Sequence, residues 1–512
     1  MARLVTPTLG PTAGTVVVDS LVSTTPEILD SGAIIARRTI QLPDPFEDMG
    51  AMLLRNVLLT VFDRTGDGTA TTAVLTRSLV HALDRYISAG GNIAQLERGL
   101  QVSLDIVVAS LCAMARPIEG AEAVANVAAG AVRDQAIARI IGQILDATGP
   151  DGSVVVEDSD ATDTTYEYLD GIRWNAGLAS EAFLDSGQTS VRLIEPRICV
   201  TDSALEQTEQ LQPVLEACVA GGVRRLFVVA PEIRDPIVAL LAVNHQHGVF
   251  EGVAAVRAPS TGDTRAAILA DLAVATGGRL LQAAAGGTRA FKLSDLGSAR
   301  QAWATRQAFG IVGGRGSRST IRDRVAEARA ELSRAHDDVH LRNMTQQRIG
   351  KLLGLGALIR VGAPSQLARD ELHVRTDAAL RSARLALEDG VVPGGGATLV
   401  ALADVLCERK LPGEQGIAAS ILGSALRAPM FTIARNAGCI EPGAIVEDAR
   451  RRGPGWTFDT RDGIWVDAWQ AGIVDPTAVV RAALQASVSA ARLAMATGAL
   501  IRTRQAPPPS GR

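Results

Sequence analysis

The stretch GDGTATTAVL, residues 66–75, places Asp67 between two glycines and follows it with threonines and an apolar run. Glycines let a backbone turn tightly and approach a ligand closely. Threonine hydroxyls and the free amides of a helix start form an anion site. An acid inside such a site needs a cation between it and the anion, so the chemistry suggested is a nucleotide phosphate bridged by Mg²⁺ to Asp67. The same residues also suit an ordinary helix N-terminus capped by Asp67 or Thr69. A second Gly-rich turn, VVPGGGATLV at 391–400, lies about 300 residues downstream and again leads into an apolar stretch. If both turns serve one site, the two chain ends fold together and the middle is an insertion.

The elements that must position these turns can be read from patterning. Residues 1–35 contain two β-branched runs, GTVVVDS and SGAIIARR, expected as short strands. From Ala70 to about Tyr86, Leu75, Leu79, Leu83 and Ile87 recur at i+4, the period of an amphipathic helix. More helix is expected to about Thr148, then a turn and a strand in GPDGSVVVED. Residues 171–356 alternate short strands such as RLFVVAP with helical stretches such as DPIVALLAVNHQ, an α/β pattern. A long charged helix is expected over 321–354 and a short one over 376–389. The last helix follows DPTAVV, with Asp475 as N-cap and Pro476 at the first helical position. The tail PPPSGR reads as disordered.

Composition narrows the function classes. The chain has 512 residues, 47% hydrophobic and 21% charged, which permits a large core and roughly three domains. A net charge of −4, with no long basic run, argues against non-specific nucleic-acid binding. The five cysteines are widely spaced and form no C-x-x-C pair, so neither a disulfide framework nor a zinc site is indicated. No secretory signal and no uninterrupted apolar span are evident, so a cytoplasmic protein without a membrane partner is expected. His336 and His340 stand at i,i+4, but the charged surroundings favour a solvated helix face over a metal site; His245 and His247 flank a helix end, and a metal site is not expected there. Trp456, Trp465 and Trp469 read as core.

Five stretches together resemble the group I chaperonins of the GroEL type: TLGPTAGTVVVD (8–19), FEDMGAMLLRNV (46–57), GDGTATTAVL (66–75), GVVPGGGATL (390–399) and GIVDPTAVVRAALQ (472–485). They stand in family order at family-like spacing, with weaker similarity through the middle. No Walker-type G-x-x-x-x-G-K-[ST] is present, which fits this family. The resemblance implies an α+β multidomain fold: an equatorial ATP-binding and ring-forming domain (1–114 and 390–512), an intermediate hinge domain (115–170 and 357–389) and an inserted α/β apical domain (171–356). It implies ATP with Mg²⁺ as cofactors and K⁺ as a further ion. Non-native polypeptides, a homo-oligomeric ring and a cochaperonin are the partners implied.

Carried over residue by residue, Asp67 holds the metal and Gly68, Thr69, Ala70 and Thr71 wrap the phosphates. Thr8, Leu9, Gly10 and Pro11 lie on the nucleotide's other side, Gly395 lets the backbone approach base and ribose, and Asp475 accepts from the ribose. Asp459, Thr460 and Arg461 fall where the family contacts adenine. Leu178, Phe183, Val238, Leu241 and Leu269 fall at polypeptide-binding positions, or are ordinary core.

The departures concern catalysis. The family has aspartates where this chain has Ser31 and Ala378, and those carboxylates position and activate the attacking water. Asp30 and Asp377 are one residue away. On a helix that offset turns a side chain by about 100°, and on a strand it flips the face, so neither is expected to substitute. Asp30 also replaces a family lysine and adds negative charge near a polyanion. ATP binding is therefore expected to survive and hydrolysis to be impaired, with a static nucleotide-binding scaffold or holdase as the alternative. The segment before TLGP is shorter than the family's, which pairs with a neighbouring subunit, so a weaker ring is expected.

Overall fold

In the computed structural model, the described residues are all except 13, 19–26, 185–187, 260–261, 284–290, 335–337 and 501–512. His336 and the PPPSGR tail lie outside them. The chain forms two compact units, Met1–Pro150 with Ala363–Arg512, and Asp151–Gly362.

The first unit joins the two chain ends in one helical core. Leu75, Leu79 and Leu83 of helix Thr69–Ser88 pack with Leu96, Leu100 and Leu111 of helix Ile93–Met114. Leu402 and Leu406 of helix Ala397–Glu408, and Leu484 and Val488 of helix Thr477–Ala496, close the same cluster. Truncating one such leucine to alanine typically costs about 2–5 kcal/mol, so residues some 400 positions apart depend on each other for stability. The apolar stretch Gly413–Asn436 is long and apolar enough to cross a membrane by length and composition alone. It breaks at Arg427 into two helices, and 56% of its most apolar window is buried, which marks it as core helix.

Small pairings set the Gly-rich turns in place. Strand Val391–Pro393 runs antiparallel to Val474–Pro476, with Val392 opposite Asp475. The Trp456–Asp459 and Ile464–Asp467 strands form a hairpin. Helices Ala121–Val132 and Gln135–Thr148 pack on each other, and the long helix Gln366–Asp389 packs on both.

Three local expectations are corrected here. SGAIIARR is not a strand: Gly32–Arg38 is a helix, whose Ala33, Ile35 and Ala36 are buried. The helix expected over 376–389 begins ten residues earlier, at Gln366. Asp475 does not cap the last helix, because the strand continues through Pro476, which is itself the N-cap.

The second unit centres on a seven-stranded sheet. Its order is Ile172–Trp174, Phe309–Gly314, Gly297–Thr305, Arg197–Val200, Arg225–Ala230 and Gly252–Arg257, with Ser190–Ile194 also paired to Gly297–Thr305. The last three of the ordered strands are parallel. Leu226–Ala230 and Gly252–Val256 are buried at every position, as expected for parallel strands covered on both faces. A smaller sheet pairs Leu355–Val361 with Ser153–Asp158 and Thr165–Asp170. The charged stretch expected as one helix is two, Arg318–Arg334 and Val339–Leu352. Both are tied to buried Asp271, which accepts from Arg324 Nε and Arg348 Nε at 2.6 Å each.

Candidate functional site

The turn at Asp67 is built by backbone geometry. Gly66 (φ +74°) and Gly68 (φ +84°) both occupy the left-handed region that glycine tolerates. A Cβ on Gly66 would lie 2.1 Å from the carbonyl oxygen of Ala378, so helix Gln366–Asp389 rests directly on this turn. Gly68 is the N-cap of helix Thr69–Ser88 and offers no side-chain cap; Asp67 Oδ1 accepts from the Gly68 amide at 2.6 Å. Of the two capping residues considered from sequence, Thr69 is inside the helix and Asp67 precedes its cap.

Around this turn a cavity is lined by Thr8, Asp30, Ser31, Asp67, Thr69, Ala70, Arg133, Arg375 and Ala378, all from the first unit. Four residues picked out from sequence as cofactor-binding, Thr8, Asp67, Thr69 and Ala70, meet here, together with both departures, Ser31 and Ala378. Thr71 and Gly68 belong to the same helix start but do not line the cavity. Thr69 is buried and its Oγ1 has no hydrogen-bond partner. A buried polar atom left without a partner costs about 1–3 kcal/mol, which a ligand oxygen would recover.

The second Gly-rich turn approaches a different carboxylate, Asp475. Gly394 packs beside Asp475, with its Cβ position 3.2 Å from Asp475 Oδ1. Gly395 (φ +66°) leaves 2.5 Å between its Cβ position and Thr457 Oγ1, close enough to exclude any side chain. Asp459 and Thr460 sit at the hairpin turn, where Asp459 Oδ1 accepts from the Arg461 amide and Thr460 Oγ1 is buried without a partner. Leu9 and Gly10 are tied to helix Ala428–Asn436: Asn436 Nδ2 donates to the Leu9 carbonyl at 2.9 Å, and Gly10 packs against Ile433. Pro11 is exposed.

Burial disfavours the charged form of two carboxyls near this turn. Burial raises the pKa of Asp67, against the opposing pull of the Gly68 amide and Arg133. Asp475 is pushed up to about 7, chiefly by burial and further by the charge of Asp67. Among the described residues no three His, Cys, Asp or Glu converge on one metal position. Mg²⁺ needs no such cage, since one carboxylate with phosphate oxygens and waters suffices. The orphaned Thr69 hydroxyl, the helix start and the destabilised carboxylates together fit a metal–phosphate group.

A pH prediction follows for the ligand-free chain. An acid whose folded pKa lies above its unfolded value destabilises the fold once ionised, so stability falls as pH rises from about 4 to about 7. The interval, from 3.8 to about 7, corresponds to roughly 4 kcal/mol. In EDTA, Asp475→Asn should therefore raise the thermal midpoint at pH 8 and leave it unchanged at pH 4. Equal shifts at both pH values would show that burial of this carboxylate is not the cause.

The neighbouring acids differ from each other. Asp377 does not line the cavity; its side chain is 49% exposed and sits 3.6 Å from His373. Asp30 departs from expectation. It lies just past strand Glu27–Leu29, so no face is flipped, and it lines the cavity between Arg133 and Arg375. The negative charge it brings is therefore compensated. Arg133 and Arg375 were not evident from sequence, because nothing in the pattern separates an arginine at a helix end, or one within a helix, from surface charge.

Of the two readings left open for the apolar candidates, polypeptide contact or ordinary core, burial bears on the second. Leu178, Phe183, Val238, Leu241 and Leu269 are at most 8% exposed and belong to the core of the second unit. The tryptophans are mixed: Trp456 is exposed and stacks under Arg452, while Trp469 is half-buried under Arg116.

Comparison with known proteins places the chain. Its fold is similar to that of the chaperonin gp146 from the bacteriophage EL 2 (Pseudomonas aeruginosa), crystallised in the presence of ATP-BeFx. The TM-score is 0.72 at 18% identity, over 98% of this chain and 96% of that one. The sequence model of the TCP-1/cpn60 chaperonin family matches residues 1–505. The chain belongs to the TCP-1/cpn60 chaperonin family.

Proposed function

We propose that this chain is an ATP-binding chaperonin subunit that captures non-native polypeptides, and that its hydrolysis step is slowed. The carrying observation is the cavity at the Thr69 helix start, where Asp67 and the unpartnered Thr69 hydroxyl face one space. Asp67 would hold Mg²⁺, which neutralises phosphate charge when bound. The amides after Gly68 and the Thr69 hydroxyl orient the phosphates, while Thr8 closes the opposite wall. Gly395 and Asp475 would take the base and ribose end, with Asp459, Thr460 and Arg461 nearer the base. K⁺ is a further candidate ion. Ser31 and Ala378 line the cavity without a carboxylate, so no residue there is placed to activate water by the family's route.

The three-part division carries over as part of this reading: equatorial (1–114, 390–512), intermediate (115–170, 357–389) and apical (171–356). With the five apolar candidates buried, client contact in the apical part falls to exposed residues on the adjacent helices Thr208–Ala220 and Asp235–Gln246. Val219 and Val243 are 54% and 46% exposed there. Homo-oligomeric rings and a cochaperonin are the expected partners, in a cytoplasmic setting.

A holdase that binds nucleotide without cycling is the second reading, favoured by Ser31 and Ala378. The two separate in one experiment that combines sedimentation with suppression of aggregation of a chemically denatured client. A cycling subunit releases client when ATP is added, and a holdase keeps it. A concentration-independent monomer that leaves client aggregation unchanged would overturn both readings.

A further inference from the structure

Asp30 is the one acid in the cavity already held by cations. Its Oδ2 accepts from Arg133 Nη1 at 3.3 Å, and its Oδ1 accepts from Arg375 Nη2. Building on the nucleotide reading above, we propose that Asp30 stands in for a nucleotide's terminal phosphate between Arg133 and Arg375. A nucleoside triphosphate must then displace it to bind, whereas a diphosphate need not.

The two arginines come from separate elements and converge. Arg133 follows helix Ala121–Val132 as its C-cap, at φ 56°, an uncommon conformation for a side chain-bearing residue. A second nitrogen of its guanidinium, Nη2, donates to the Thr8 carbonyl at 3.0 Å, which fixes its direction across the cavity. Arg375 projects from helix Gln366–Asp389 and also pairs with Glu371 one turn back. Each oxygen of the Asp30 carboxylate thus takes one guanidinium, the arrangement in which two oxygens of a phosphate are held.

The surroundings favour an anion at this position. The cavity also contains the start of helix Thr69–Ser88, whose free amides attract negative charge, and the orphaned, buried Thr69 hydroxyl. Two converging guanidiniums at a partly buried site repel each other unless an anion lies between them. Asp30 supplies it between the two, while Glu371 gives Arg375 a second carboxylate that, among the described residues, makes no pair with Arg133. A terminal phosphate and Asp30 cannot both stay, because two anions would then compete for the same two forks. Asp30 is joined directly to Ser31, the N-cap of helix Gly32–Arg38, and Arg375 shares its helix with Ala378. Displacement therefore acts on the two elements that carry the altered catalytic positions.

The test is titration calorimetry of the full chain with Mg·ADP and with the non-hydrolysable Mg·AMP-PNP. Asp30→Asn should tighten AMP-PNP by about tenfold or more, and Arg133→Gln or Arg375→Gln should weaken it by about tenfold, as charge-assisted hydrogen bonds are gained or lost. ADP affinity should stay within about threefold in all three variants. Thermal melts confirm folding, and Asp30→Ser serves if the asparagine variant does not fold. If Asp30→Asn leaves AMP-PNP affinity unchanged or weaker, or shifts ADP equally, the stand-in role is overturned while ADP binding keeps the nucleotide reading intact. If neither nucleotide binds wild type or any variant, the nucleotide reading falls and this inference with it.

Discussion

Placing aspartates at both altered positions, Ser31→Asp with Ala378→Asp, should raise ATP turnover by a factor of roughly 10²–10⁴, the usual value of general-base assistance. Mg·ATP affinity should change little, because neither position is assigned to hold the phosphates or the metal. Both side chains line one cavity. Ser31 leads helix Gly32–Arg38 and Ala378 is buried against the Gly66 turn, so carboxylates at the two positions enter the same space. Groups that act on one water are not additive. Each single variant should therefore recover much less than the pair. Steady-state phosphate release and binding calorimetry on the same preparations check this. A wild-type chain that already turns over as fast as the double variant would show that another group activates water, and alanine at Asp30 and Asp377 in turn would identify it. Asp377 is the weaker candidate, since its helix turns it out of the cavity toward His373.

Asp67→Ala should abolish Mg²⁺-dependent ATP binding, a loss of at least about 100-fold if Asp67 is the principal protein ligand of the metal, as proposed. The same substitution should stabilise the ligand-free chain. Burial already raises the pKa of Asp67, and its charge adds to the rise at Asp475. Removing it lowers the pKa of Asp475 from about 7 and reduces the cost of burying both charges at neutral pH. Lost binding together with a raised thermal midpoint separates a ligand-holding role from general damage to the fold. Unchanged Mg·ATP affinity would show that Asp67 is not the metal ligand.

The sequence patterns were legible where period and turn chemistry coincide. Leu75, Leu79 and Leu83 recur at i+4, and the Gly66–Gly68 turn demands glycine twice, so the helix start was readable before any coordinates. The union of the chain ends followed from the condition that both Gly-rich turns, about 300 residues apart, serve one site, and the two ends do share one compact unit. Misreadings arose where tertiary packing decides. Ile34 and Ile35 favour strand locally, yet burial of Ala33, Ile35 and Ala36 gives Gly32–Arg38 to a helix. Asp475–Pro476 carries the signature of a helix start, but pairing with Val391 and Val392 keeps it in a strand for one residue longer. The apolar residues chosen for client binding show the limit of composition: Leu241 and Leu269 look identical as core or as rim until burial is known. Arg133 is invisible for the converse reason, since its meaning lies in a contact with Asp30, 103 residues earlier in the chain.

The most direct test of the central claim is the fate of bound nucleotide. Wild-type chain is mixed with Mg·ATP, freed of excess nucleotide by rapid gel filtration, and the nucleotide that co-elutes is identified over time. Stoichiometric nucleotide that remains triphosphate long after mixing is the result predicted by the proposal that this cavity holds ATP through Asp67 and Thr69 and lacks the carboxylates at positions 31 and 378 that would activate water. Absence of co-eluting nucleotide, or its conversion to diphosphate within seconds, would contradict it.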